Sequence, residues 1–221
     1  MRGVVFRGVD REGDRVGWLA QASVSVFGQR LGLAELFGQF FALAVVFLAR
    51  RRTLWTWPVQ LVSVVLLFSV YVSAHLGGLA VRQVVVGVIA LYGWWAWARR
   101  RDPVFGVAVR RASSAELAVT AGVFAAGTVG FALVLDAWGA SWAPWPDAAI
   151  FVGTVLAFAL QAWGLVEFWL VWLVVDAVGV PVQLGSGLWF SAGVYTVFAV
   201  LVIHGWVSWY RSARRQVPVQ A

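Results

Sequence analysis

Apolar residues in this chain come in long stretches broken by short polar or arginine-rich punctuation. Seven of them, at about residues 34–50, 54–75, 79–98, 115–135, 148–165, 168–184 and 188–210, each approach the roughly 20 residues a helix needs to cross about 30 Å of hydrocarbon. The pattern predicts an all-α polytopic membrane protein with seven transmembrane helices. Very short connections join the first three stretches to one another, and likewise the last three, so each trio is expected to pack as a bundle. A lone helix stands between the trios, giving an arrangement of three, one and three. Ahead of them, residues 1–15 are polar and charged and predict a mobile tail. Residues 16–33 mix Trp18, Leu19, Phe27 and Leu31 with Gln21, Gln29 and Arg30, which predicts an amphipathic helix lying on the membrane. The expected units are therefore residues 1–33 (tail and interfacial segment), 34–101 (first three-helix repeat), 102–147 (linker with helix four) and 148–221 (second repeat and basic tail).

Composition strengthens the membrane reading. Of 221 residues 62% are hydrophobic and only 12% charged, with a mean hydropathy of +0.82. There is no cysteine and hence no disulfide or thiolate metal site, and nothing predicts a metal or another cofactor. Lysine is absent too, so the net charge of +7 comes from arginine alone. These arginines sit at the ends of apolar runs, which fits membrane topology and not a nucleic-acid surface. Arg50, Arg51, Arg52, Arg99, Arg100, Arg101, Arg110, Arg111, Arg211, Arg214 and Arg215 fall on one side of a seven-helix arrangement, and the opposite loops (76–78, 136–147, 185–187) carry none. The positive-inside rule places that side, with the C-terminus, in the cytoplasm.

The two trios resemble each other. At an offset of 115, Gly38 and Gln39 align with Gly153 and Thr154, and Trp57 with Trp172; at 112, after a gap in the loop, Gly93-Trp94-Trp95-Ala96-Trp97 aligns with Gly205-Trp206-Val207-Ser208-Trp209. An odd linker helix makes the repeats parallel in the membrane, as in SWEET-type transporters, with a substrate site between them near the midplane.

Candidate chemistry centres on residues 168–183, an apolar stretch with one carboxylate, Asp176. On a helix, Trp169, Trp172 and Asp176 fall within about 60° of one another. An unpaired carboxylate in hydrocarbon costs several kcal/mol, so Asp176 should face the protein interior or water. The repeat adds Trp57 and Gln60 from the second helix, Gln83 from the third, Tyr195 from the seventh and Gln39 from the first. Trp, Tyr and Gln around one Asp suit a flat ligand that stacks and hydrogen-bonds. Trp94, Trp95, Trp97, Trp206 and Trp209, at helix ends beside arginine, are assigned belt or packing roles. An enzyme is not expected: Gly185-Ser186-Gly187 and His204 faintly echo an intramembrane serine protease, but about 24 Å of helix separates the pair.

The arginine-rich turn into LWTWPVQ, the Gln83 helix ending in YGWWAW, and Trp172-x-x-x-Asp176 followed by Gly205-x-x-x-Trp209 resemble the PnuC family of vitamin transporters across nearly all of residues 34–215. The run from Glu167 to Pro181 and the all-arginine composition look most like its riboflavin-transporting RibM/PnuX branch. The resemblance implies a full-length SWEET-like fold in a bacterial inner membrane, a homotrimer, and facilitated diffusion of riboflavin, thiamine or nicotinamide riboside, with a cytoplasmic vitamin kinase trapping the product. Nicotinamide riboside members end the Trp-x-x-x motif in Asn; here it ends in Asp176.

Overall fold

The computed structural model describes residues 23–26, 29–73, 77–102, 106–185 and 189–215. Seven helices dominate them: α1 (Leu33–Arg50), α2 (Thr56–Ser73), α3 (Gly77–Arg99), α4 (Ser114–Ala137), α5 (Pro144–Ala162), α6 (Phe168–Gly185) and α7 (Trp189–Arg215). Two small antiparallel ribbons accompany them, β1 (Ser23–Val26) with β2 (Gln29–Gly32) and β3 (Arg101–Asp102) with β4 (Gly106–Val107). The first ribbon corrects the expected helix over its described residues: Ser23 pairs with Gly32 and Val26 with Gln29, so residues 23–26 and 29–32 are antiparallel strands. The β-branched Val24 and Val26 favour an extended strand over a helix, which outweighs a weak amphipathic period. The rest of the expected helix, and the tail, lie outside the described residues.

Thr56–Ser73, Leu79–Arg99, Ser114–Ala137, Pro144–Ala162 and Ala192–Arg214 are long and apolar enough to cross a membrane, while the apolar parts of α1 and α6 are shorter. α5 begins earlier than expected because Pro144 occupies its first turn, where a missing N–H costs nothing. A capping box starts α4: the Ser113 hydroxyl accepts from the Glu116 N–H and the Glu116 carboxylate accepts from the Ser113 N–H.

Neighbour relations close six helices into a ring. α1 packs on α2, α2 on α3, α3 on α5, α5 on α6, α6 on α7, and α7 returns to α1. α4 stands outside, packed on α5, and is the most exposed of the spans. Within the ring, glycines let the helices approach. A Cβ at Gly93 would fall inside 3.0 Å of the Trp57 ring, and one at Gly205 inside 3.0 Å of the Trp169 ring.

These contacts fix the register of the repeat at 112 through both trios, correcting the offset of 115 and the pairing of Trp57 with Trp172. Trp57 on Gly93 matches Trp169 on Gly205. The Trp97 indole N–H donates to the Gln161 carbonyl and the Trp209 indole N–H to the Ala49 carbonyl, each at 3.0 Å, again 112 apart in donor and acceptor. Arg52 (φ 55°) and Gly164 (φ 73°), the left-handed residues after α1 and α5, match as well. No gap falls in the loops; Trp172 instead corresponds to Gln60, and Asp176 to Val64.

Candidate functional site

At the arginine-bearing end of the ring the four matched tryptophans form one cluster. Trp57 meets Trp97 edge-on at 5.2 Å, Trp97 meets Trp209 at 6.0 Å, and Trp209 meets Trp169 edge-on at 6.0 Å. All four are at most 1% exposed. Trp97 and Trp209 thus serve in packing and not in an interfacial belt: their indole N–H groups satisfy terminal carbonyls of α5 and α1, tying each trio to the other. Trp94 and Trp95 are exposed, and Arg99 stacks on Trp95 at 4.2 Å, as expected of a belt.

Above this floor lie the polar candidates. Asp176 is 4% exposed, and its Oδ2 has no hydrogen-bond partner among the described residues. Pro181, inside α6, also lacks the N–H that would bond the Ala177 carbonyl beside Asp176 in a regular helix. Gln83 and Gln60 are buried. Tyr195 packs its ring on Gly179, where a Cβ would meet it inside 3.0 Å, so it stands about one turn beyond Asp176. By the matched register Gln83 stands level with Tyr195, and Gln60 with Trp172. Trp172 is half-buried and meets Phe158 edge-on at 5.3 Å.

Gln83, Tyr195, Asp176, Trp172 and Gln60 therefore span about two helical turns of depth. Trp57 and Trp169 lie deeper towards the floor, about 10.5 Å of helix from the level of Asp176. Trp169 shares the α6 face of Asp176 but stands at a different depth. Trp57 and Trp169 each leave a buried indole N–H without a partner among the described residues. The side chain of Gln39 lies outside the described residues.

Two features escaped the sequence reading. Glu167, at the α5–α6 turn, is buried; its Oε2 accepts the Ala112 N–H at 2.8 Å and its Oε1 lies 3.8 Å from Arg111. Together with a parallel bridge between Arg110 and Leu165, it pins the segment before α4 under the start of α6. Arg82, half-buried in α3 beside Gln83, is the only Asp, Glu, Lys or Arg between Arg52 and Arg99, a signal visible in the sequence.

The chain is similar to known proteins along most of its length. Residues 32–211 match the family model described as nicotinamide mononucleotide transporter. The chain is 42% identical over 203 residues, 90% of its length and 95% of the relative's, to the riboflavin/roseoflavin transporter RibM of Streptomyces davaonensis. It superposes on the crystal structure of the vitamin B3 transporter PnuC with a TM-score of 0.67 at 17% identity, covering 82% of each chain. That likeness fixes the fold, an all-helical membrane transporter fold, and the chain is thus a member of the nicotinamide mononucleotide transporter family.

Proposed function

We propose that the protein is a facilitator for riboflavin uptake, built as a seven-helix SWEET-like pair of parallel repeats with its C-terminus in the cytoplasm. The carrying observation is the 42% identity, along nearly the whole of both chains, to a riboflavin/roseoflavin transporter. The site supports it chemically. Asp176 is a buried acceptor with an unused oxygen, and the isoalloxazine N–H and ribityl hydroxyls are donors; charge-assisted bonds of this kind contribute about 1.5–3 kcal/mol. Trp172 and Gln60 on one side of the Asp176 level, and Gln83 and Tyr195 on the other, each about one helical turn away, supply stacking and amide or phenol contacts, Trp57 and Trp169 floor the site with two free indole donors, and Gln39 is the candidate on α1. A homotrimer and trapping by a cytoplasmic kinase complete the proposal.

Nicotinamide riboside is the second reading, favoured by the family description and by the positive ring that Asp176 could attract. Uptake of each labelled vitamin into an auxotroph expressing the protein separates them. Riboflavin should enter, and Asp176→Ala should weaken its uptake about ten- to a hundredfold, the range those bond energies give. Free passage of nicotinamide riboside without riboflavin uptake would reverse the assignment.

A further inference from the structure

The arginines at the floor end are not equivalent. Arg51 stacks on Phe47, Arg99 on Trp95, and Arg214 and Arg111 both reach Tyr210. Arg110 pairs with Glu116, and Arg100 donates to the Trp163 carbonyl. Arg50 and Arg211 are exposed, and neither has a protein partner among the described residues. Both line one cavity of about 320 Å³ between α1 and α7, shared with His204, Val207, Ser208 and Ser212. Two guanidiniums, an imidazole and two hydroxyls surround this space, and no carboxylate lines it. An anion entering this space therefore meets cationic and hydrogen-bonding groups without a competing carboxylate.

The repeat supplies an internal comparison. At the matched α3–α5 junction, the positions of Arg211 and Ser212 are held by Arg99 and Arg100, which are both engaged by protein groups, while those of Arg50 and His204 are Ala162 and Tyr92. The α1–α7 junction alone keeps its cations uncommitted and adds hydroxyls. The Ala49 carbonyl at the end of α1 already accepts from the Trp209 and Arg52 N–H groups, so it does not compete for those cations.

We propose that this cavity binds the phosphodiester headgroup of an acidic phospholipid. Arg50 and Arg211 supply the charge, and Ser208 and His204 supply donors to phosphate and glycerol oxygens, the Ser212 hydroxyl already donating to the Ser208 carbonyl. A lipid fits better than a free anion because Ile203 and Val207 (47% and 38% exposed) continue α7 away from Arg211, and Phe47 (42%) does the same on α1, giving acyl chains an apolar strip below the headgroup. The site is independent of the transported vitamin.

Titration of the purified protein with phosphatidylglycerol, phosphatidylcholine, glycerol 3-phosphate and inorganic phosphate tests this, read by thermal unfolding and by lipids retained in native mass spectrometry. Phosphatidylglycerol should raise the unfolding temperature and be retained in preference to phosphatidylcholine, while the two water-soluble phosphates should have no effect at millimolar concentration. Combined Arg50→Gln and Arg211→Gln should weaken phosphatidylglycerol binding about ten- to thirtyfold, and Arg99→Gln at the matched junction should not. Equal retention of the two lipids by the wild-type protein overturns the proposal, even if the double variant does not fold. A double variant that keeps the full shift overturns it too, and so does a shift reproduced by inorganic phosphate, which would reveal a small-anion site.

Discussion

Adding one methyl group at Gly205 tests the floor of the bundle directly. A Cβ there would lie inside 3.0 Å of three atoms in the outer ring of the Trp169 indole, and Trp169 is 1% exposed, held between Phe168 at 4.3 Å and Trp209 at 6.0 Å. The ring has no free volume to move into, so Gly205→Ala should incur the overpacking cost of about 1–3 kcal/mol. Replacing a helical glycine by alanine returns about 0.8–1 kcal/mol of propensity. Three close atoms on a rigid ring put the clash towards the upper end, leaving a net loss of about 1–2 kcal/mol. For a chain of this size that lowers the unfolding temperature by about 2–8 °C. Gly193→Ala, in the same helix with nothing within 4 Å of the new Cβ, is the control and should be neutral or mildly stabilising. Thermal unfolding in detergent, followed by tryptophan fluorescence, reads both. The pair Gly205→Ala with Trp169→Phe should be less harmful than the sum of its parts, because phenylalanine lacks the outer indole ring. Gly93→Ala against Trp57 should behave likewise in the first repeat. If Gly205→Ala unfolds no earlier than Gly193→Ala, the close packing described for the floor is wrong.

Three other expectations can be checked. Trp209→Phe or Trp97→Phe removes one of two hydrogen bonds on the Ala49 or Gln161 carbonyl, which keeps the Arg52 or Gly164 N–H, and should cost about 0.5–1.5 kcal/mol in unfolding free energy, with uptake falling more than in Trp95→Phe, whose ring is exposed. Arg52 holds a left-handed φ with its Nη1 buried and unpartnered, and burial pulls its guanidinium below the usual range; Arg52→Gly should raise the unfolding temperature. Gly164→Ala at the matched turn should lower it, since a Cβ would stand 2.8 Å from the Ala108 carbonyl oxygen. In a chain without cysteine, Ser113→Cys should react with impermeant thiol reagents only after permeabilisation; labelling in intact cells would reverse the orientation.

Much of the fold was legible because in a membrane the hydrocarbon thickness, and not a subtle periodicity, sets helix length. A long apolar run closed by Arg50 or Arg99 has one economical conformation, since every backbone N–H and C=O in lipid must bond within its own segment. The seven stretches therefore appear as α1–α7 with boundaries shifted by only a few residues, most at α5 and α7. Residues 16–33 gave no such constraint. Outside the hydrocarbon a weak amphipathic pattern competes with strand pairing, and residues 23–26 and 29–32 paired as strands.

The sequence by itself also marked Asp176, because a lone carboxylate in an apolar run is conspicuous whatever the fold. It could not set the level at which Asp176 meets its neighbours. A helical wheel groups Trp169, Trp172 and Asp176 by angle and ignores depth, and the alignment by identity matched Trp57 to Trp172 because the two residues are chemically alike. Only packing resolves such a three-residue ambiguity, about one helical turn: Gly93 admits Trp57 as Gly205 admits Trp169, and the Trp97 and Trp209 bonds to Gln161 and Ala49 lock the same register. The same holds for the arginines. Their side of the membrane follows from the chain alone, but that Arg99 and Arg100 are engaged while Arg50 and Arg211 stand free around one cavity is decided by which helices close the ring, a relation between segments more than 150 residues apart.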